Sequence, residues 1–152
     1  MPTMKTVEIR ARQVAGFRTE AQAGAHAVTL DQPRPLGTDG GPMPLQLLET
    51  ALAGCFVGTG YLIARQQKLA VRAIDVQVRG ELDIEIGAGR STAGRAGFTG
   101  LDVRIAVDAD LSPADKAAFV AEIRRRCPVG ENLENPTPVS YHMVEELPDR
   151  HD

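Results

Sequence analysis

Two cysteines, Cys55 and Cys127, are the strongest nucleophile candidates in this sequence of 152 residues. A cysteine thiolate attacks one oxygen of a peroxide, breaks the O–O bond and becomes a sulfenic acid. A second thiol condenses with that sulfenic acid to give a disulfide, which a reductant later opens. The two residues predict a redox pair, provided that the fold brings their Cα atoms to about 5–6 Å from each other.

The same two cysteines can also be explained without chemistry. Both fall on apolar stripes of predicted helices, and free cysteine is among the most buried residue types. A reactive thiolate needs a neighbouring cation, and the residues alone do not select one among the arginines. On this pattern, a redox pair and two passive core cysteines both remain open.

Composition and charge exclude several other classes of protein. The length suits one domain, 1–152, and the net charge of -3 does not indicate a nucleic acid or an anionic membrane as partner. Segment 1–13 has no apolar run behind its charges, so we expect no signal peptide, and we expect no stretch to approach the roughly 18 apolar residues of a membrane span. We therefore expect a cytoplasmic protein. The histidines and cysteines are scattered, so we expect no metal site.

A small meander is predicted at the start of the chain. Apolar and charged residues alternate at about 5–14, which is typical of a half-buried strand. Gly16 marks a turn, and two shorter strands are expected near 17–21 and 25–31. The segment 31–42 is rich in proline and glycine and predicts a loop.

Segment 44–70, which contains Cys55, predicts a long central helix. It has no proline after Pro44 and is apolar on nearly every side, as expected of a helix enclosed by a sheet or by a partner subunit. Gly54, Gly58 and Gly60 lower its helix propensity, and another backbone packed closely against them would explain their presence.

The second half of the chain predicts a hairpin. Residues 73–86 alternate over many positions and indicate a long half-buried strand, and 87–97 is a flexible connection. A second strand follows it, and the two would form an antiparallel pair. The inward residues of the second strand are Leu101, Val103, Ile105 and Val107.

A second helix is expected to carry Cys127 at its end. Ser112 and Pro113 are typical of a helix start, and the helix should run to about Arg126. A short turn or helix near 130–134 leads to an expected last strand within 135–146. The alternating residues of that strand are Val139, Tyr141 and Met143. Strands, long helix, hairpin, helix and strand make an α+β domain with antiparallel sheet against two helices.

Two segments resemble one known family. GPMPLQLLETALAGC (41–55) is similar to the helix start of the OsmC/Ohr family of peroxide-reducing proteins, where a leucine- and alanine-rich half-helix ends in a small residue and a cysteine. RRRCPVGENLENPTPVSY (124–141) looks like the second cysteine segment of that family. The order of elements also matches, so the resemblance covers about residues 5–146.

The resemblance implies a fold of antiparallel sheets packed around two central helices in an intertwined homodimer. It also implies a peroxidase of oxidative or osmotic stress defence, with Cys55 as the attacking cysteine and Cys127 as the resolving one. Organic hydroperoxides would be preferred over hydrogen peroxide. A lipoylated protein or a small thiol would be the reductant, and no metal, haem or flavin would be used. The candidate apolar walls of the substrate site are Leu48, Leu52 and Phe56.

In the Ohr branch, an arginine after a glycine turn pairs with the thiolate, and a glutamate before the helix positions that arginine. Arg18 matches the arginine, and its cation would hold Cys55 as a thiolate and stabilise the leaving oxygen. The expected carboxylate position falls near Gln46, which is neutral and cannot form an ion pair. Glu49, one turn further along, is a candidate substitute. The chain therefore resembles the broader OsmC-like group more than the Ohr branch.

Two other functions are compatible with these residues. The first is a non-enzymatic module whose dimer pocket holds an apolar or acyl ligand while the thiols are passive, and Gln46 favours it. The second is a hotdog-type thioesterase, because that fold also wraps a sheet around a long helix. It would need a carboxylate or histidine in the pocket and would not need two cysteines.

Overall fold

Three short antiparallel strands form the first sheet. The computed structural model describes residues 1–135 and 137–147. The strands are β1 (Ile9–Ala15), β2 (Arg18–Ala23) and β3 (His26–Leu30), in the order β1-β2-β3. Gly16 has a φ of 51° in the turn between β1 and β2, where glycine avoids the strain that a side chain would bring. The predicted meander is confirmed, with its first strand beginning at Ile9.

The loop after β3 is built around the buried carboxylate of Asp31. One carboxylate oxygen accepts hydrogen bonds from the Thr38 hydroxyl at 2.6 Å, the Thr38 N–H at 3.1 Å and the Gly40 N–H at 3.0 Å. The other accepts the Gln32 N–H at 2.8 Å. The Thr38 hydroxyl, followed by the backbone donors, lowers the pKa of Asp31 to about 2. This proline- and glycine-rich loop is therefore tied to one carboxylate.

The long helix α1 (Pro44–Gln67) follows this loop, as predicted. Near its start, the Met43 N–H donates to Gln46 Oε1 at 2.9 Å, so one of the unpaired amides of the first turn has a partner. Lys68, with a φ of 55°, ends the helix in the left-handed conformation. The buried residues of α1 are Leu52, Phe56, Gly60, Ile63 and Ala64.

An antiparallel hairpin covers the buried face of α1. Its strands are β4 (Val71–Glu81) and β5 (Gly100–Ala109), with Val76 opposite Ile105 and Val78 opposite Val103. The inward residues predicted on β5 are all half-buried and alternate with exposed ones. The predicted hairpin is confirmed.

The strand predicted over 73–86 is too long. β4 stops at Glu81, and Ile84–Gly87 form a short helix, α2. The side chain of Asp83 accepts the Glu85 N–H at 2.9 Å and caps that helix. A local cap of this kind gives the backbone an alternative to strand pairing, although the apolar alternation continues through the segment.

Two helices complete the fold. Ser112 accepts the Asp115 N–H at 3.1 Å and begins α3 (Pro113–Arg126), at the bounds that the sequence predicts. After Cys127, a short helix α4 (Pro128–Glu134) stands where a turn or helix was expected. Phe119, Ile123 and Cys127 join the buried residues of α1 in one core.

Gly60 lies where α1 packs closely on β4 and α3. A Cβ at this position would lie 2.5 Å from Ile74 Cδ1 of β4 and 2.9 Å from Ile123 Cδ1 of α3. A larger residue would therefore force these isoleucine side chains to shift. By contrast, a Cβ at Gly54 or Gly58 would meet no atom within 4 Å.

The opposite face of α1 is open. Val57, Tyr61 and Leu62 are 40%, 62% and 49% exposed, so the described part of the chain does not enclose the helix on all sides as its composition predicts. By length and composition, α1 could cross a membrane. The expectation that no stretch was apolar enough is therefore wrong, but the packed face is that of a core helix.

The strand expected within 135–146 is absent from residues 137–147, which form no strand in the structure. Val139, Tyr141 and Met143 are 67%, 91% and 102% exposed. A strand needs a neighbouring backbone for its hydrogen bonds, and the described residues of this segment pair with no strand of either sheet. Pro136, also within the expected strand, lies outside the described residues.

Candidate active site

The fold brings Cys55 and Cys127 together from two helices. Cys55 lies on α1 and is half-buried, and Cys127 lies between α3 and α4 and is 1% exposed. Cys55 packs against the buried cluster that contains Cys127, and its thiol is close enough to affect the pKa of the Cys127 thiol. Both cysteines are free thiols in the structure. The two residues that the sequence singles out for redox chemistry are neighbours.

Cys127 is held in a buried and specific position. Burial raises the pKa of the Cys127 thiol, and the neighbouring Cys55 thiol raises that pKa further. The Gly130 N–H donates to Cys127 Sγ at 3.3 Å and acts in the opposite direction. A buried thiol with a raised pKa stays protonated at neutral pH, so Cys127 is the less reactive sulfur toward an outside electrophile.

Cys55 is the more accessible of the two sulfurs. Its Sγ lies 4.0 Å from the hydroxyl oxygen of Thr59, one helical turn further along α1. Residues four apart lie on the same face of a helix, so this contact follows from the spacing. The i, i+4 spacing of Cys55 and Thr59 is visible in the sequence, but no role was predicted for Thr59.

Arg18 lies on β2, in the first sheet. Its guanidinium donates twice to Glu20 Oε1, at 3.1 Å from Nε and 2.9 Å from Nη2. The Arg18 side chain is 48% exposed. Within the chain, Arg18 is thus paired with a carboxylate, and the predicted contact with the Cys55 thiolate stays a prediction.

Gln46 and Glu49 both precede Cys55 on α1. Gln46 is exposed and Glu49 is half-buried. At 1.5 Å of rise per residue, they lie about 13 Å and about 9 Å before Cys55 along the helix axis. The observed role of Gln46 is its acceptance of the Met43 N–H. The helix by itself does not carry either side chain to the sulfur, so their predicted catalytic roles stay predictions.

The three predicted wall residues all line a groove with a volume of about 1350 Å³, which neither cysteine lines. Two lining residues are immediate neighbours of the cysteines, because Phe56 directly follows Cys55 and the Gly130 N–H donates to Cys127 Sγ. The opposite wall belongs to β5 and α3. The principal apolar lining residues are Leu48, Leu52, Phe56, Leu101, Val103 and Ile105.

Basic residues stand at the edge of this groove, but two of them are already paired. Arg124 donates to both carboxylate oxygens of Glu134, at 3.0 and 2.8 Å, and so ties α3 to α4 around Cys127. Arg125 pairs with Glu122 on α3 itself. Arg124 therefore stabilises the corner between α3 and α4, whereas the Arg125 pair lies within α3. In the described ranges, no group of three or more His, Cys, Asp or Glu could hold a metal ion.

The family model for OsmC-like protein matches residues 37–142. That span includes both cysteines and all four helices, and it is more than half of the chain. The chain therefore belongs to the OsmC-like family, as its two cysteine segments predict. A search of curated proteins gave no match.

Solved structures share this fold. An OsmC-like protein from Mycoplasma pneumoniae is 22% identical, with a TM-score of 0.77 over 88% of this chain and 91% of that one. An organic hydroperoxide resistance protein from Legionella pneumophila is also 22% identical, with a TM-score of 0.61 over 87% and 91%. Another from Elizabethkingia anophelis is 17% identical, with a TM-score of 0.63 over 90% and 93%. At these identities, the likeness shows the α+β fold alone.

Proposed function

We propose that this protein is a thiol-dependent peroxidase that reduces organic hydroperoxides, with Cys55 as the attacking cysteine and Cys127 as the resolving one. The observation that carries the proposal is the proximity of two cysteines from distant parts of the chain, since Cys55 packs against the buried cluster that contains Cys127. Membership of the OsmC-like family supports it, because similar folds include organic hydroperoxide resistance proteins.

The reaction proceeds in three balanced steps. The Cys55 thiolate attacks the terminal peroxide oxygen, the O–O bond breaks, and the alkoxide takes up a proton to leave as an alcohol. The sulfur is oxidised to a sulfenic acid as the peroxide is reduced. The Cys127 thiol then displaces the hydroxyl as water and forms a disulfide with Cys55. Two thiols of an external reductant restore both cysteines and become a disulfide themselves.

The environments of the two sulfurs suit these different roles. The half-buried Cys55 can meet a peroxide, whereas the buried Cys127 meets only its neighbour. Burial raises the pKa of Cys127 and keeps its proton in place until a sulfenic acid forms beside it. Attack on the outside substrate is thereby confined to Cys55.

The apolar groove supports an organic substrate. Leu48, Leu52 and Phe56 would hold the alkyl part of the hydroperoxide by burying apolar surface. Hydrogen peroxide has no such part and should be reduced less well. A lipoylated protein or a small thiol is the proposed reductant, and the free thiols fit a reducing compartment such as the cytoplasm.

We further propose that the working form is a homodimer. The open face of α1 exposes Val57, Tyr61 and Leu62 beside two glycines that leave room for a close approach. A second copy of the chain on this face would enclose the helix, as its apolar composition requires. Arg18 of one copy would then serve a thiolate at the interface in place of its contact with Glu20.

One assay tests the peroxidase. The reduced protein is mixed with cumene hydroperoxide, and free thiols and alcohol product are counted. We expect the loss of two thiols per chain and a Cys55–Cys127 disulfide on peptide mapping. Cys55→Ser should abolish peroxide consumption, and Cys127→Ser should stop after one turnover with a sulfenic acid that dimedone traps. Peroxide consumption that survives Cys55→Ser would overturn the proposal.

The groove also favours a second candidate, a non-enzymatic module that binds an apolar or acyl ligand. The neutral Gln46, whose amide oxygen accepts the Met43 N–H, favours this function because it cannot form an ion pair with an arginine. Thiols that stay unchanged under hydroperoxide, together with an apolar ligand that copurifies with the protein, would favour this second function.

A further inference from the structure

Helix α1 contains two threonines whose hydroxyls have different partners. Thr50 Oγ1 donates to the carbonyl of Gln46 at 2.7 Å, the usual bond of a threonine inside a helix. Thr59 Oγ1 instead lies 4.0 Å from Cys55 Sγ, four residues before it. The Thr59 hydroxyl is thus placed against the sulfur that the proposed function makes the nucleophile.

We propose that Thr59 is a further active-site residue, whose hydroxyl donates a hydrogen bond to the Cys55 thiolate. The inference rests on the proposed function only in taking Cys55 as the reactive thiol. A thiolate accepts hydrogen bonds more strongly than a neutral thiol, because hydrogen bonds to an ionised group are roughly twice as strong. The bond therefore favours the charged form of Cys55, which is the form that attacks a peroxide.

The packing of α1 fixes the position of this hydroxyl. Gly60, the next residue, is in close contact with Ile74 on one side and Ile123 on the other. The helix cannot turn Thr59 away from this face without displacing those side chains. Threonine is also β-branched, so few orientations of its side chain are accessible in a helix. At 4.0 Å the hydroxyl is at the long end of the range for sulfur, and a negative charge on the sulfur draws it closer.

The role of the hydroxyl can be measured without any peroxide. In the full chain, the rate at which iodoacetamide alkylates the Cys55 peptide is followed by mass spectrometry between about pH 5 and pH 10. Thr59→Val removes the hydroxyl and keeps the shape of the side chain. We expect its rate profile to move to higher pH by about 0.5–1 unit, with a roughly three- to tenfold slower reaction at neutral pH. Thr59→Ser should restore the native profile.

Thr50→Val is the matched control, because it removes a hydroxyl from the same helix at a site remote from the sulfur. It should leave the profile unchanged. A second hydroxyl-free variant, Thr59→Ala, keeps the test valid if valine disturbs the helix. Profiles of Thr59→Val and Thr59→Ala that superimpose on the native one would overturn the inference, as would an equal shift in Thr50→Val.

The same two measurements distinguish a failure of the peroxidase proposal from a failure of the Thr59 inference. In that case the native protein would leave cumene hydroperoxide unreduced, while the alkylation profile would still depend on Thr59. If the native protein and Thr59→Val reduce the peroxide equally and their alkylation profiles coincide, the inference fails and the peroxidase proposal stands.

Discussion

Cys127 Sγ accepts the Gly130 N–H at 3.3 Å while it lies against the thiol of Cys55. The same residue ends α3 and caps α4, so its position is set by the corner between two helices. This corner is tied by the bidentate pair of Arg124 and Glu134. The α3–α4 corner therefore fixes the position of the Cys127 sulfur, and helix α1 places the Cys55 sulfur beside it.

Because the pKa of Cys127 is raised, the free energy of unfolding should decrease at alkaline pH. Its folded pKa exceeds its unfolded value, so the stabilisation is complete below the unfolded pKa, about 8.5, and is lost as pH rises toward the folded pKa. Urea unfolding across this range should show the native protein losing up to about 1.4 kcal/mol per pH unit more than Cys127→Ala. Parallel curves for the two proteins would contradict this assignment.

Because the pKa of Asp31 is lowered, the free energy of unfolding should decrease at acidic pH. Its pKa is lowered to about 2, so its stabilisation is present above its ordinary value, 3.8, and is lost as pH falls through about 2. Asp31→Asn should melt several degrees lower at neutral pH and should lack this acid dependence, as measured by thermal unfolding. The control is Asp39→Asn, because Asp39 is an exposed carboxylate in the same loop. An equal loss in both variants would refute the role of Asp31.

Gly60→Ala should destabilise the fold by about 1–3 kcal/mol, because its Cβ would overlap Ile74 Cδ1 and Ile123 Cδ1. Ile74→Val removes the nearer of the two methyl groups. In urea unfolding, the double variant should therefore be more stable than the sum of the two single effects predicts. Strict additivity would show that the two positions do not meet.

Gln46 offers a way to separate a helix cap from a catalytic residue. Gln46→Ala removes the acceptor of the Met43 N–H and should cost about 0.5–1.5 kcal/mol in unfolding measurements. Gln46→Glu keeps an acceptor and adds a negative charge at the helix start, where the dipole favours it. We expect this variant to be at least as stable as the native protein. A rise in its peroxidase rate would mean that position 46 also acts on the thiolate.

The proposed homodimer predicts a strong effect of charge on the open face of α1. Val57→Glu places a carboxylate among exposed apolar residues and should convert the dimer to a monomer of 16.3 kDa in light scattering. Ile84→Glu is the control, because Ile84 is 63% exposed on α2. A native protein that is already monomeric would remove the basis for the dimer.

Local signals predicted most elements correctly. The Ser112 cap and Pro113 gave both the start and the type of α3, because these residues act through backbone bonds of their own turn. The end of β4 was misjudged because the Asp83 cap competes with an apolar alternation that continues past it. At Asp83 the helix cap prevails over the apolar alternation, so a capping residue can end a strand inside an alternating pattern.

Non-local contacts explain what sequence reasoning could not establish. The meeting of Cys55 with Cys127 depends on how α1 and α3 pack, which the Gly60 contact sets. The Glu20 partner of Arg18 lies two residues away on the same strand and could have been foreseen. The strand expected around Tyr141 was misjudged because its alternation shows which residues would face a sheet but not whether a sheet edge is available.

The long separation of the two cysteines along the chain has a thermodynamic consequence. A bond between Cys55 and Cys127 would close a loop of roughly 70 residues, and in the chain-entropy account such a crosslink stabilises a fold by about 4 kcal/mol. In each catalytic cycle the protein would thus alternate between a crosslinked form and a reduced form that unfolds at a lower temperature. The melting temperature itself would report the oxidation state, because oxidised molecules would stay folded at temperatures at which reduced molecules unfold.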